Sequence, residues 1–277
     1  TEEQTMLLET AVDFCRKNSP LDGVRRQIEQ EDSVDAAIWT EMADLGWLGI
    51  TIPEQYGGLG LSLADVVPIV ESMGRHLMGS PYVPTVLAAH ALVVSGTKTQ
   101  KNHWLPQIAA GTAATMALTE EDGNWRLQEV QTKGVVSGDS ITLTGKKCFV
   151  LDAPKAEVIV VSATIGGAPR LVLVQADQLP ANALTRETVI DETRRSYSLD
   201  LDGLTVPLGQ LLDGADFGNI EQAALLLLSA EMAGGLAGVL HVIVDYLTTR
   251  KQFDQYIGSY QSLKHPSVQI LLSMEAC

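Results

Sequence analysis

The side chains that most often bind metals or transfer protons are thinly spread in this sequence. The five histidines are His76, His90, His103, His241 and His265. A zinc site places its ligands at short fixed spacings, such as His-x-x-x-His, or combines histidine with nearby cysteines. Neither pattern occurs, so we expect structural histidines and no metal site.

The cysteines and glycines also lack the spacing of a known chemical site. Cys15, Cys148 and Cys277 are too far apart for a disulfide framework, and we interpret them as free thiols in the cytoplasm. The N-terminal residues carry no secretory signal pattern. The run Gly57-Gly58-Leu59-Gly60 does not follow a strand, as a dinucleotide-binding fingerprint would, and we interpret it as a turn requirement.

The acidic composition limits the binding partners. Among 277 residues, 34 are Asp or Glu and 19 are Lys or Arg, which gives a formal net charge of −15. A protein that binds nucleic acid without sequence preference needs a basic surface to displace counterions. We therefore expect no nucleic-acid partner.

The spacing of apolar residues divides the chain into three regions, of which the first is helical. Residues 1–115 repeat apolar side chains every three or four positions, which predicts an all-α domain. Helices are expected near residues 6–14, 37–48, 85–94 and 98–110, with another that begins at Ser62 as its N-cap.

The second region, residues 116–216, alternates short β-branched runs with turn residues. Two hairpins are predicted, one around residues 137–140 and one around residues 166–169. Residues 196–201 alternate as a further strand. Short strands at regular spacing are typical of a small antiparallel barrel or sandwich.

The third region, residues 217–277, returns to a helical pattern. Only three charged residues interrupt the segment 220–249. Glu231 lies in its most apolar part, so we expect a buried helix and no membrane span. Its small residues Ala230, Gly234 and Gly238 are four positions apart and would let a neighbouring backbone approach.

A last helix is expected from about Ser267. Two helices cannot bury these apolar faces alone, whereas a four-helix bundle could. We therefore expect the start of an α bundle that continues beyond Cys277.

Motifs in all three regions give a specific resemblance. The first region contains Leu45-Gly46-Trp47-Leu48-Gly49-Ile50, Pro53-Glu54-Gln55-Tyr56-Gly57-Gly58-Leu59-Gly60-Leu61, Gly74-Arg75 and Leu105-Pro106-Gln107-Ile108-Ala109-Ala110-Gly111. The second begins with Ala117-Leu118-Thr119-Glu120, and the third contains Arg250-Lys251-Gln252-Phe253, Ile257-Gly258 and Gln261. With these motifs in order, the whole chain resembles the acyl-CoA dehydrogenase family.

The resemblance implies an FAD-dependent oxidoreductase that acts on acyl-CoA thioesters. In that family a glutamate removes the α-proton while the β-hydrogen leaves as hydride to flavin, and an electron-transfer flavoprotein is the implied acceptor. The usual position of the base lies beyond Cys277, and one branch of the family carries it where this chain has Ala224. Nearby Glu221 is interpreted as a helix-dipole acid, so the catalytic residue stays unassigned.

The resemblance also implies three segments that contact FAD. Leu118 and Thr119 match the first, but Asn124, Trp125 and Arg126 replace its phosphate-binding Gly-Ser-Asp run. Phe149-Val150-Leu151 matches the second and has lost its hydroxyl. Arg250, Phe253 and Gln261 match residues that hold the ADP half of a neighbouring subunit's FAD; the alternative for Arg250 is a cation that stabilises a helix C-terminus.

Two hypotheses follow from this uneven match. The chain is either a self-sufficient homomeric dehydrogenase or a degenerate subunit that completes the FAD site of a homologous acyl-CoA dehydrogenase subunit. The second resembles the heteromeric enzymes of actinobacteria that act on steroid side-chain thioesters. It is favoured because the residues for the chain's own flavin have changed, whereas those for a neighbour's flavin have not.

Overall fold

A computed structural model describes residues 2–30 and 34–276. Cys277, predicted to be a free thiol, lies outside this range, whereas Cys15 and Cys148 are buried and free. The helices are α1 (Glu2–Asn18), α2 (Leu21–Ile28), α3 (Ala36–Asp44), α4 (Val67–Arg75), α5 (Tyr82–Ser95), α6 (Lys98–Ala109), α7 (Phe217–Thr249) and α8 (Gln261–Glu275).

Nine strands lie between α6 and α7, and a short hairpin follows α7. The strands are β1 (Ala114–Ala117), β2 (Lys133–Ser137), β3 (Ser140–Thr144), β4 (Lys146–Leu151), β5 (Val158–Ile165), β6 (Ala168–Gln175), β7 (Leu184–Arg186), β8 (Ser196–Asp200), β9 (Thr205–Pro207), β10 (Lys251–Gln252) and β11 (Gln255–Tyr256). The predicted order of helical, β and helical regions is confirmed.

The β region forms two sheets that share one apolar core. The larger follows the order β1-β5-β2-β3-β9, with β6 also paired to β5, and the smaller is β4-β8-β7. The predicted hairpins are confirmed as the antiparallel pairs β2–β3 and β5–β6. The larger sheet is mixed rather than antiparallel throughout, because β1 and β2 run parallel to β5. Parallel neighbours are joined by long connections, and single-strand patterns do not reveal such pairings.

Two helix starts differ from the prediction. A 3-10 turn at Leu63–Asp65 precedes α4, which begins at Val67 rather than after Ser62 and carries a proline in its first turn, where the fixed φ of proline suits a helix. The last helix begins at Gln261 rather than near Ser267 and includes Pro266. A proline inside a helix removes one backbone hydrogen bond, and α8 forms despite that loss. Helix α2, with eight residues, had no counterpart in the prediction.

Contacts divide the chain into two compact units that are discontinuous in sequence. One contains residues 1–25, 64–78 and 225–277, and the other contains residues 26–63 and 79–224. The predicted domain limits at 115 and 216 follow the changes of secondary structure, and as domain boundaries they stay predictions.

Helix α7 packs its small residues directly against the backbone of α4. A Cβ atom built on Gly234 would lie 1.8 Å from the carbonyl oxygen of Glu71, and one on Gly238 would lie 2.5 Å from that of Arg75. By length and composition alone α7 could cross a membrane, and 22% of its most apolar window is buried. Its close contact with α4 is that of a helix within a bundle, but most of the window is not buried, so the burial predicted for this helix is not met within the described residues.

The glycine-rich turn after α3 requires a residue without a side chain at Gly58. The N–H of Leu59 donates to the carbonyl of Gly49, and that of Gly60 to the carbonyl of Ile52, each at 2.9 Å. A Cβ atom on Gly58 would lie 2.0 Å from the oxygen of Ile52. The turn therefore has a structural reason for glycine, as the sequence indicated.

We expect Gly58→Ala to lower the free energy of unfolding by about 2 to 3 kcal/mol, because overpacking against a backbone forces the loop apart. Gly57→Ala is the matched control. Gly57 has φ +83° and open space around it, so only the left-handed strain of about 1 kcal/mol applies. Denaturant unfolding measures both changes, and equal losses would contradict the steric explanation.

Candidate functional site

The first two segments predicted to face FAD lie side by side in the β region. Thr119 forms an isolated antiparallel bridge with Cys148. The Thr119 hydroxyl donates to the Cys148 carbonyl at 2.6 Å, and the Cys148 N–H donates to the Thr119 carbonyl at 3.0 Å. Leu118, the preceding residue, is half-buried against the neighbouring core. The fold thus brings Leu118 and Thr119 next to the segment that contains Phe149.

Phe149 is turned outward by an irregularity in β4. The register with β8 shifts between Lys147 and Val150, and Phe149 has φ +56° and is 45% exposed. Bulges of this kind re-aim a side chain. The N–H of Phe149 donates to Glu187 Oε2 at 3.0 Å, which also accepts from the Ser196 hydroxyl at 2.6 Å. Glu187 thereby anchors the bulge to β8.

Trp125 covers the outward face of Phe149. The two rings stack with centroids 6.0 Å apart and planes inclined by 28°. The loop on both sides of Trp125 is tied to Glu129, which accepts from Asn124 Nδ2 at 2.7 Å and from Arg126 Nη1 at 3.0 Å. The three residues that replace the family's Gly-Ser-Asp run therefore form one hydrogen-bonded loop against the second segment.

A buried ion pair holds the base of this loop. Lys147 Nζ donates to Glu120 Oε1 at 2.7 Å and to the Ser162 hydroxyl at 2.8 Å, and the Lys147 side chain is fully buried. Glu120 also accepts from the N–H and hydroxyl of Thr132 and from the N–H of Gln131. Glu120 and Thr132 bracket the Trp125 loop, so this pair fastens both loop ends to β4.

Burial and hydrogen bonding oppose each other at the ion pair. Burial raises the pKa of Glu120, but hydrogen bonds from Lys147, Thr132 and Gln131 outweigh it, so the pKa lies below its usual range. Burial lowers the pKa of Lys147, although the contact with Glu120 acts in the opposite direction. Sequence patterns did not single out this pair, because its residues are 27 positions apart; the available local signal was a lysine two positions before an aromatic residue.

The lowered pKa of Glu120 predicts an acid dependence of stability. A carboxyl group with a depressed folded pKa stabilises the protein above its unfolded pKa, about 4.3 for glutamate, and this contribution is lost as pH falls through the folded value. We expect the native protein to be more stable than Glu120→Gln near neutral pH. The difference in the free energy of unfolding should shrink as the pH falls below about 4. Urea unfolding of both proteins across pH measures it, and a constant difference would contradict the prediction.

The third predicted segment lies in the other unit, directly after α7. Arg250 follows the helix directly. Strands β10 and β11, of two residues each, then form a hairpin, and Gln261 is the first residue of α8. The Ile257 N–H donates to the Arg250 carbonyl at 3.0 Å. The Tyr260 hydroxyl donates to the Gln252 carbonyl, also at 3.0 Å. Arg250, Phe253 and Gln261 therefore belong to one compact segment.

Phe253 is displayed at the tip of that hairpin. Phe253 and Asp254 have φ values of +52° and +63°, as a type I′ turn requires, and Phe253 is 89% exposed. A left-handed conformation costs about 1 kcal/mol for a residue with a Cβ atom. The hairpin thus accepts backbone strain while it presents an aromatic ring to solvent.

Comparisons with known proteins agree with the folded regions. A family model described as "Acyl-CoA dehydrogenase, N-terminal domain" matches residues 1–112. A solved structure of a variant of the Tcur3481-Tcur3483 steroid ACAD is 31% identical, with TM-score 0.89, and the match covers 99% of this chain and 74% of that chain.

A second solved structure and a curated acyl-CoA dehydrogenase are also similar to this chain. The ChsE4-ChsE5 complex from Mycobacterium tuberculosis is 25% identical, with TM-score 0.89 and coverage of 99% of this chain and 74% of that chain. Acyl-CoA dehydrogenase IpdE2 of the same organism is 29% identical, and the match covers 99% of this chain and 73% of IpdE2.

The helical region, the curled β region and the second helical region match the fold of the acyl-CoA dehydrogenases, a class of flavoprotein. The chain belongs to the acyl-CoA dehydrogenase family. Members of this family are oxidoreductases that depend on FAD.

The two parts of the predicted FAD set differ in how they fit the cofactor. In the first part, the Trp125 indole covers the Phe149 face that the resemblance assigns to the flavin ring, so these residues do not fit FAD as they are arranged. In the second part, an exposed guanidinium, an exposed aromatic ring and an amide suit a diphosphate and a flat cofactor. The fit is therefore confined to Arg250, Phe253 and Gln261.

The position at which one branch of the family carries the base is Ala224, which is half-buried and has no acid group. Glu221 is exposed in the second turn of α7. Within residues 2–30 and 34–276, no group of three His, Cys, Asp or Glu side chains is placed to hold a metal ion.

Proposed function

We propose that this chain is the degenerate subunit of a heteromeric acyl-CoA dehydrogenase. It completes the FAD site of a homologous subunit through Arg250, Phe253 and Gln261, and it holds no flavin of its own. The observation that carries the proposal is the stack of Trp125 on Phe149, the aromatic residue that the resemblance assigns to the chain's own flavin ring.

The proposal is supported by a contrast between the Trp125 loop, which is fastened to the β region, and Phe253, which is exposed to solvent. The Trp125 loop is fastened by a buried ion pair at its base and by hydrogen bonds to Glu129, whereas Phe253 is almost fully exposed. A residue displayed at the cost of backbone strain is explained by a partner that contacts it.

The names of two similar structures support the heteromeric arrangement and a substrate class. One is a steroid ACAD with two named components, and the other is the ChsE4-ChsE5 complex. We propose by this similarity a cytoplasmic enzyme that introduces a double bond into a steroid side-chain acyl-CoA thioester. An electron-transfer flavoprotein would accept the electrons.

In this arrangement each residue of the third segment has a distinct role. The Arg250 guanidinium binds the FAD diphosphate through parallel N–H donors, the exposed ring of Phe253 packs against the cofactor, and the Gln261 amide offers a donor and an acceptor. When bound, FAD would serve as the hydride acceptor of the reaction. This chain's residues hold the ADP half of the cofactor in place.

Flavin content tests the proposal. The full-length protein is purified alone and again together with a co-expressed homologous subunit, and the visible absorbance of bound flavin is divided by the concentration of each chain. We expect no flavin in the protein alone and about one FAD per pair of unlike chains in the complex. One FAD per chain in the protein alone would instead identify the self-sufficient homomeric enzyme, in which the Trp125 loop must open.

A further inference from the structure

The last turn of α7 holds the Arg250 side chain through a single tyrosine. Tyr246 lies one helical turn before Arg250, and its carbonyl accepts the Arg250 N–H at 3.0 Å. The guanidinium carbon lies 5.4 Å from the centroid of its ring. Arg250 Nη1 also donates to the Tyr246 hydroxyl. One side chain thus contacts the guanidinium through its hydroxyl and brings an aromatic ring close to the cation.

These contacts restrict an otherwise flexible cation. Arginine loses much rotamer freedom when it binds a ligand, and binding is tighter when that loss has already occurred in the free protein. A guanidinium has five N–H donors in a fixed plane. The hydroxyl of Tyr246 accepts from one nitrogen and leaves other donors for phosphate oxygens.

We propose that Tyr246 is a positioning residue that holds the Arg250 guanidinium ready for the diphosphate of the FAD bound to the partner subunit. This inference rests on the proposed function, because it requires Arg250 to contact FAD. It adds a residue outside the motif Arg-x-x-Phe and predicts that the Tyr246 hydroxyl contributes to cofactor affinity without touching the cofactor.

A neighbouring pair in the same segment provides a matched control. Lys251 Nζ lies 4.7 Å from the centroid of the Tyr256 ring, so this is also a cation over a tyrosine. The control variant Tyr256→Leu removes such a pair next to Arg250 and leaves Arg250 with its own tyrosine.

The test is a double-mutant cycle on the FAD dissociation constant of the assembled complex. Tyr246→Phe keeps the ring and removes the hydroxyl contact, and we expect affinity to fall about fivefold, as for one ordinary hydrogen bond. Tyr246→Leu removes both contacts, with an expected loss of about twentyfold. Tyr256→Leu is expected to stay within about twofold of the native complex. In an Arg250→Ala background, Tyr246→Phe should have no further effect.

The outcomes separate this inference from the proposed function. Loss of affinity that disappears in the Arg250→Ala background supports the inference. An equal loss in both backgrounds, or no loss at all for Tyr246→Phe, overturns it while Arg250 keeps its role. Unchanged affinity in Arg250→Ala alone overturns the proposed role of Arg250, and this inference with it.

Discussion

Substitution of Lys147 by methionine is expected to lower the free energy of unfolding by about 3 to 5 kcal/mol. The methionine fills similar space, but Glu120 is only 7% exposed and would keep a buried carboxylate without its cation. The remaining donors, Thr132 and Gln131, are neutral and compensate only in part. Chemical denaturation of the purified protein measures the change.

The adjacent lysine provides the matched control for this prediction. Lys146 pairs with Glu121 at 2.6 Å, but both side chains are exposed, by 46% and 65%. An exposed pair contributes at most about 1 kcal/mol, so Lys146→Met should have a small effect. The double variant Glu120→Gln with Lys147→Met should regain part of the loss, because no charge is then buried. Equal effects of the two lysine variants would show that burial of the Lys147 pair does not matter.

Substitution of Arg250 by alanine is expected to weaken FAD binding to the assembled complex by about a hundredfold. Charge-assisted hydrogen bonds to a diphosphate contribute about 1.5 to 3 kcal/mol, and the truncated side chain removes them. Arg250→Lys should recover little of the affinity, because an ammonium group cannot form the parallel bonds of a guanidinium. Equilibrium dialysis against FAD measures the dissociation constants.

Arg126→Ala distinguishes the two possible flavin positions in the same experiment. Arg126 lies in the loop that faces the chain's own flavin position, and its pair with Glu129 is exposed. If this chain holds no flavin, Arg126→Ala leaves FAD affinity unchanged, whereas Arg250→Ala lowers it. The reverse pattern would contradict the proposed function and indicate that the chain binds its own cofactor near Trp125.

Local patterns were sufficient for most of the fold. The turn residues around Gly138 and Gly166 predicted both hairpins, because a two-residue turn sets the pairing of adjacent strands. The spacing of Gly234 and Gly238 predicted that a neighbouring backbone approaches α7 closely, because residues four apart share one helix face, and the structure shows that this neighbour is α4. The parallel pairing of β1 and β2 with β5 was not predicted, since it joins strands that are far apart in sequence.

For the candidate site too, the sequence predicted some features and not others. The order of motifs identified the family, and the positions of Leu118, Thr119, Arg250, Phe253 and Gln261 were assigned from those motifs alone. For Arg250, Phe253 and Gln261, binding of a neighbour's FAD stays a prediction. For Leu118 and Thr119, binding of the chain's own FAD stays the alternative, and the flavin measurements test both.

The sequence by itself determined the composition of the site: which residues replace the family's Gly-Ser-Asp run, and which motif is kept after the long helix. The tertiary structure alone decided that Trp125 stacks on Phe149, that Lys147 and Glu120 meet in the core, and that Phe253 is exposed. The physical reason is that the first two contacts join residues 24 and 27 positions apart. A strand bulge and a buried charge pair bring such residues together, and neither has a periodic signature along the chain.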